Sequence, residues 1–545
     1  MTKWIPALLI VSCSFSLSAT VLDTNGVTLL QQTDPTLTGA GVRVAQPEAV
    51  ADANDNDFEV NPAQVGQPVD LFTYISTNLE SATGFPNSVG SESSHADGVA
   101  AGFYGLVGLY GIYGGVATNV AHVDNYNVNY FALEEVMVVD FITNYVVTLP
   151  STNIDDPVVN QSYDFVDYVD DQYVHVGSNE EVAIDLAFDN YAAEYNTLFV
   201  SGAGNGGVVN PPATCYNGLG VGLYGGNSSF GPTIDNGRCK PDLVAVAPTN
   251  TEDTSYSTPY VAGSAAVLIQ AGSRGDGGPN TNAATDLRAL RAFLLNGAVK
   301  PTDWTNGTSA PLDARYGAGM LNLFNSWEQM KGGQHVFIES SSITSGAPHP
   351  PGANTNNEPV PVGWDYNSIS TSSFQDTVNH YYFNLPGGIP FTLTATLEWN
   401  KQTNQTTINH LDLFLYNTAN SNLVTCSTSQ VDNVQHIFLP VLPAGRYDLQ
   451  VLKQGSLNQV SAAETYALAF EMFNMTLCVQ WTNGNAIISW PLAPTGFQLQ
   501  SAASLSPPVA WTPVTNAAAI TTNRNMVILS PGAGAQFFQL VRPAF

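Results

Sequence analysis

Two textures of apolar and polar positions divide the chain. In the first, brief β-branched strands alternate with helical patterns. A glycine turn at Gly39–Gly41 leads into the strand pattern Val42–Glu48, and Glu180–Tyr195 carries helical spacing that runs into the β pattern Thr197–Ser201. A helix of small apolar residues follows Ser255 and continues to Leu268. From about Trp364 the period changes to two. Tyr381–Leu385, Phe391–Leu397, Leu411–Tyr416 and Gly445–Val451 alternate at regular spacing, which predicts an antiparallel sandwich. Between the textures, Ile338–Val362 is rich in Ser, Pro, Asn and Gly without periodicity and reads as a linker. The tail repeats the β pattern in Ala486–Pro491 and Gln536–Leu540. The expected layout is therefore 1–19 secretion signal, 20–38 short lead, 39–335 α/β domain, 336–363 linker, 364–475 β-sandwich and 476–545 small β module.

Composition narrows the partners. Over 545 residues, 15 Lys+Arg stand against 45 Asp+Glu, a net charge of -30 that disfavours nucleic acid and anionic membrane. Lys3, the apolar run Trp4–Val11 and the small residues Ser14–Ala19 have the order of an export signal. A rival feature is Ile10–Cys13, which resembles a lipoprotein cleavage box with Cys13 as the lipidated residue. No later run is long enough to span a bilayer. In an exported chain Cys215, Cys239, Cys426 and Cys478 permit disulfides, and Cys215 with Cys239 is the expected bridge, with free buried thiols as the alternative.

The chemistry centres on Asp253–Gly263. A hydroxyl just before a helix lies among unpaired backbone N–H groups at the positive end of the helix dipole, which suits Ser255 as a nucleophile. Pro259 fits the first turn, where its missing N–H costs nothing. Taken alone, the string reads equally as a Ser/Thr-rich cap on a core helix. His95, His122 and His175 are the histidines before it, and His95 stands in the helix start Ser94–Gly102. Glu48 ends the first strand. Asp52, Asp55 and Asp57 compete with it for an acid role, or serve as calcium ligands at alternating positions, or form a solvated loop.

These motifs resemble the subtilisin-like serine peptidases (subtilases), in the family's order. Thr254–Gly263 resembles Gly-Thr-Ser-x-x-x-Pro-x-Val-Ala-Gly from its second residue, with Asp253 for the first Gly and Tyr260 for His. The segment His95–Gly102 resembles His-Gly-Thr-His-Val-Ala-Gly, with Ala96, Asp97 and Gly98 departing from it. Val158–Asp164 resembles the cleft strand Val-Ile-Asn-x-Ser-x-Gly, and Ala203–Gly206 resembles the oxyanion-hole motif. Ser228–Pro232 and Gly237–Ala245 resemble the segments that precede the nucleophile in the family, and Tyr316–Asn322 resembles its closing turn, so the likeness spans about Gly39–Gly333. It implies a mainly parallel sheet flanked by helices. It also implies Ser255 as nucleophile, His95 as general base, Glu48 in place of the usual Asp, and Asn205 as oxyanion donor. Ser162, Tyr163 and Asp164 would line the substrate cleft, where Asp164 replaces a Gly; Asp164, Asp167, Asp170 and Asp171 either make that cleft acidic, favouring basic side chains, or form a solvated acidic loop.

The resemblance further implies an exported, monomeric serine endopeptidase acting on protein substrates, with no catalytic metal or required cofactor and calcium only as a structural ion. The lead 20–38 is shorter than the folded pro-domain that usually precedes such a domain. Trp364 onward looks like a pre-peptidase C-terminal domain, which binds or targets. The competing class is an inactive binding or adhesion protein on a degenerate scaffold, motivated by the departures at Glu48, Ala96, Asp97, Asp253 and Tyr260.

Overall fold

The computed structural model describes residues 20–49, 56–77, 80–108, 114–137, 153–169, 172–248, 251–351, 361–372, 374–387, 390–455, 459–474, 476–482, 485–491, 495, 497–516, 518–521, 524–530 and 535–541. The export signal, Cys13, Asp52, Asp55, Asp170 and Asp171 lie outside the described residues.

The first texture builds an eight-stranded sheet from β1 (Arg43–Glu48), β2 (Phe72–Ile75), β3 (Ser81–Ala82), β4 (His122–Asn127), β5 (Val158–Gln161), β6 (Leu198–Gly202), β7 (Leu219–Leu223) and β8 (Leu243–Ala245). Their order is β8-β7-β6-β5-β1-β4-β2-β3. Every pairing is parallel except β2 with β3. A parallel sheet is covered by helices on both faces, so its strands read as apolar runs rather than alternations. Accordingly β5, β6, β7 and β8 are buried throughout.

The principal helices are α1 (Ser94–Phe103), α2 (Ser178–Tyr195), α3 (Thr258–Ser273), α4 (Leu287–Gly297) and α5 (Leu323–Lys331). Helix α3 is almost wholly buried, lies across β5 and β6, and packs on α1. Close approach of those helices depends on Gly102, where a Cβ would stand 3.2 Å from Pro259 Cγ and 3.2 Å from the Tyr260 ring. The lead 20–38 carries two short helices, Val21–Thr24 and Val27–Thr33, and docks on this domain. Val27 and Leu30 are buried, Asn25 Nδ2 donates to the Val246 carbonyl at 3.1 Å, and the Leu323 N–H donates to the Asn25 carbonyl at 2.9 Å.

The second texture forms two facing antiparallel sheets. One contains β9 (Glu339–Thr344), β11 (Gln375–Leu385), β16 (Gly445–Lys453), β13 (Leu411–Asn417) and β14 (Asn422–Ser427) in that spatial order. The other contains β10 (Val362–Ser370), β17 (Ala463–Phe473), β12 (Phe391–Trp399) and β15 (Val434–Leu442). Leu393, Leu397, Leu413, Leu449, Val451 and Phe470 fill the space between them. Strand β9 arises inside the stretch read as a linker. Its exposed residues hide the periodicity, yet its backbone pairs with β11 from Glu339↔His380 to Thr344↔Gln375. The tail adds a small β module of two further sheets around Ile488, Trp490, Leu499 and Val527.

The sandwich is joined to the α/β domain through buried polar contacts. Helix α4 packs on β12 and β17, Arg291 meets Glu398 at 2.6 Å, and Lys401 meets Asp189 at 2.7 Å. The hydroxyls of Thr394 and Thr396 donate to Asn296 Oδ1 at 2.8 and 3.0 Å.

The expected Cys215–Cys239 bridge is absent, and all four described cysteines are free. Cys215 is buried with its thiol turned to Asp185 Oδ1 at 3.5 Å, while the backbone N–H of Cys239 is tied to Asp432 Oδ1 at 2.7 Å. Burial, reinforced by Asp185 and Asp189, pushes the Cys215 thiol well above its ordinary range.

Candidate active site

The carboxyl ends of β1, β5 and β6 open where the chain direction of the sheet order reverses, the usual place for a site in an open α/β sheet. Glu48 is the last residue of β1 and is 1% exposed. Two residues earlier on the same face of the strand, Gln46 Nε2 donates to Glu48 Oε1 at 2.8 Å and to the Ala96 carbonyl at 3.0 Å. The Gln46 amide is itself oriented by the Tyr104 hydroxyl, which donates to its Oε1 at 2.6 Å. The second oxygen of Glu48, Oε2, lies 2.8 Å from His95 Nδ1.

His95 occupies the first turn of α1, capped by Ser93, whose Oγ accepts from the Ala96 N–H at 3.3 Å. Burial works against the imidazolium, but the charge and hydrogen bond of Glu48, with Asp253 behind them, win and raise the His95 pKa above 6.5. The extra methylene of Glu over Asp is thus accommodated by a strand end that delivers the carboxylate directly to Nδ1. Asp57, one competitor for this role, begins a separate short strand at Asp57–Glu59.

Ser255 sits in a single 3₁₀ turn, Thr254–Tyr256, just before α3. It is partly exposed, and its Oγ lies 3.4 Å from the Ser162 carbonyl, while Ser162 Oγ donates to the Ser255 carbonyl at 2.9 Å. The strand leaving β5 is therefore stitched to the Ser255 turn. No hydrogen bond joins Ser255 Oγ to His95 among the described residues. The neighbouring Tyr256 ring stands against the imidazole, with centroids 5.7 Å apart.

Asn205 follows β6 on an exposed turn. Its Oδ1 accepts from the Thr254 N–H at 2.8 Å and from the Thr254 hydroxyl at 3.0 Å. With the oxygen so occupied, the amide presents its NH₂ as the available donor beside the Ser255 turn. Gly204 precedes it at φ +99°, and a Cβ there would meet Ser229 Oγ at 2.8 Å, Asn210 Nδ2 at 3.1 Å and Asp164 Oδ2 at 3.3 Å. Asp164 thus lies directly behind the Asn205 turn, where Asn210 Nδ2 donates to its Oδ2 at 2.6 Å. Burial raises the Asp164 pKa, against the lowering effect of the Asn210 hydrogen bond. Tyr163, between Ser162 and Asp164, has its hydroxyl accepting from Gln161 Nε2 at 2.6 Å.

Glu48, His95, Ser162, Tyr163, Asp164, Asn205 and Ser255 are thus gathered around one end of the sheet. Gln46, Tyr104 and Thr254, which orient these groups, were not singled out from the sequence. For Gln46 the signal was available, since a polar residue two positions before Glu48 shares its face of the strand. Elsewhere, Glu181, Asp185 and Asp235 form a group able to hold a metal ion, but Arg238 already pairs with Asp185 and Asp235, each at 2.7 Å.

Residues 115–319 match the model of the subtilase family, a span that includes Ser162, Asn205 and Ser255 and begins after His95. No curated protein matches the chain. Among solved structures, the serine protease of Aeromonas sobria is 14% identical, with 92% of this chain and 89% of that chain covered at a TM-score of 0.38. The CspB protease of Clostridium perfringens is also 14% identical, with 57% of this chain and 99% of that chain covered at a TM-score of 0.39.

Proposed function

We propose that this chain, whose residues 115–319 match the subtilase family model, is an exported serine endopeptidase that hydrolyses protein substrates through an acyl-enzyme. The observation that carries the reading is the oriented pair of Glu48 and His95 facing the Ser255 turn. Glu48 holds the proton on Nδ1, leaving Nε2 to take the Ser255 proton as Oγ attacks the scissile carbonyl. The Asn205 amide and the Ser255 N–H bind the oxyanion of the tetrahedral intermediate. His95 then protonates the leaving amine, and water repeats the sequence to release the acid. That no hydrogen bond joins Ser255 Oγ to His95 among the described residues is compatible with this role, because catalytic hydrogen bonds tighten in the substrate complex. Among the described residues no helix is long and apolar enough to cross a membrane. Export rests on the basic, apolar and small-residue order of residues 1–19.

The rival reading, an inactive binding protein on this scaffold, draws on the missing Ser255–His95 hydrogen bond. A fluorophosphonate probe separates the two, because phosphonylation needs both an activated serine and an oxyanion hole. The expected result is stoichiometric labelling of Ser255 and casein hydrolysis that disappears in Ser255→Ala. Folded protein that takes no label, or a Ser255→Ala variant with full turnover, overturns the assignment.

A further inference from the structure

Far from the cleft, the sandwich buries a lysine, an asparagine and a glutamate together. Lys453 ends β16 and is 0% exposed, Asn409 lies two residues before β13 and is 1% exposed, and Glu464 on β17 is 4% exposed. Strands β16 and β13 are neighbours with Leu411 opposite Lys453, so the end of one meets the lead into the other. Strand β17 belongs to the facing sheet and brings Glu464 across the core.

Their contacts form a directed set. Lys453 Nζ lies 3.4 Å from Asn409 Oδ1, and Asn409 Nδ2 donates to Glu464 Oε2 at 2.6 Å. The Ser461 N–H donates to Asn409 Oδ1 at 3.1 Å, and the Trp399 indole N–H holds the Asn409 main-chain carbonyl at 3.0 Å. Among the described residues, Lys453 makes no ion pair. An ammonium buried without a counter-ion is costly, and burial accordingly brings the Lys453 pKa down to about 8, against the raising influence of Glu464 and Asp376. Burial raises the Glu464 pKa despite the hydrogen bond from Asn409. Both shifts run toward the neutral amine and the protonated acid, the forms needed for an amine to attack an amide.

We propose that Lys453 and Asn409 join in an intramolecular isopeptide bond, with Glu464 as the proton-transferring residue. Lys453 Nζ attacks Asn409 Cγ, and the oxyanion forming on Oδ1 is met by the Ser461 N–H. Glu464 gives its proton to Nδ2, the Cγ–Nδ2 bond breaks, and ammonia leaves. The proton lost by Nζ returns to the Glu464 carboxylate, so the acid is regenerated and no oxidant or cofactor is consumed. Four amine and amide protons enter, and they leave as three on ammonia and one on the new amide. The product ties the end of β16 to the lead into β13 and closes the intervening chain into a ring.

The test is mass spectrometry of peptides from the purified full-length protein. The expected result is a branched peptide containing both Asn409 and Lys453, lighter than the two linear peptides together by one ammonia. Glu464→Gln and Lys453→Arg are each expected to restore the separate, full-mass peptides. Finding separate peptides in the folded parent protein overturns the proposal, and that measurement decides even if the variants do not fold. A bond that forms undiminished in folded Glu464→Gln would overturn the role of Glu464.

Discussion

Replacing Glu48 by Gln tests the site at its least conventional position, and the surrounding hydrogen bonds dictate the outcome. The Tyr104 hydroxyl fixes the Gln46 amide so that Nε2 points at residue 48. A glutamine at 48 must answer with its oxygen, which leaves its NH₂ facing His95 Nδ1. Nδ1 then becomes an acceptor, the ring proton moves to Nε2, and the nitrogen facing the nucleophile can no longer take a proton. Loss of the right tautomer in such a triad lowers kcat by about 10⁴, which at 1.36 kcal/mol per decade is about 5.4 kcal/mol of transition-state stabilisation. The cleft residues Ser162–Asp164 are untouched, so KM should change little. The pH profile supplies a second reading. His95 must be neutral to act as base, and its pKa is raised above 6.5, so the acid limb of kcat/KM should lie above that value in the parent. In Glu48→Gln the charge that raised it is gone, and any residual activity should have its acid limb at lower pH. Steady-state hydrolysis of a chromogenic peptide across pH measures both. A variant within tenfold of the parent, with an unmoved limb, would refute the role of Glu48.

If Asn205 is the proposed oxyanion donor, Asn205→Ala should lower kcat by about 10²–10³ with little change in KM, and the same chromogenic assay checks it. Asp164→Asn should cut the preference for Lys or Arg before the scissile bond over Phe by roughly tenfold to a hundredfold, the worth of a hydrogen bond to a charged group of about 1.5–3 kcal/mol. Fluorophosphonate labelling of that variant should stay complete, and unchanged selectivity in a peptide panel would remove Asp164 from the specificity pocket. Arg291→Met should destabilise by about 3–5 kcal/mol by stranding the buried Glu398, whereas Arg291→Met with Glu398→Leu should recover most of the loss, as read from thermal midpoints.

Where an element depends on local order along the chain, the sequence was legible. The strand ending in Glu48, the helix starting at His95, the β run leading to Asn205 and the Pro259 helix after Ser255 all have neighbours that specify them. Period-two patterning likewise identified β11, β12, β13 and β16. What escaped depends on contacts between distant segments. Strand β9 is built from exposed Ser and Thr and exists because β11 offers an edge, not because its own pattern demands it. Cys215 and Cys239 looked pairable by proximity in sequence, but the fold commits one to the Asp185 region and the other to Asp432. Gln46 and Tyr104 act on Glu48 and His95 only because β1 and α1 meet.

The placement of charge shows how the sandwich relates to the site. A mobile targeting module would meet its neighbour through solvated polar contacts, yet Arg291, Glu398, Lys401 and Asp189 are at most 3% exposed as side chains. Asn217 adds to the same seam, donating to the Lys401 carbonyl at 2.9 Å and accepting from the Lys401 N–H at 2.8 Å. Separating the two bodies would leave these groups without their partners, and rehydrating them would require opening the whole interface rather than bending a hinge. Helix α4, which carries Arg291 and Asn296, also packs on α3, the helix that begins just after Ser255. The sandwich is therefore mechanically continuous with the scaffold of the Ser255 turn, and loosening this interface should be felt in the geometry of Ser255 as well as in stability.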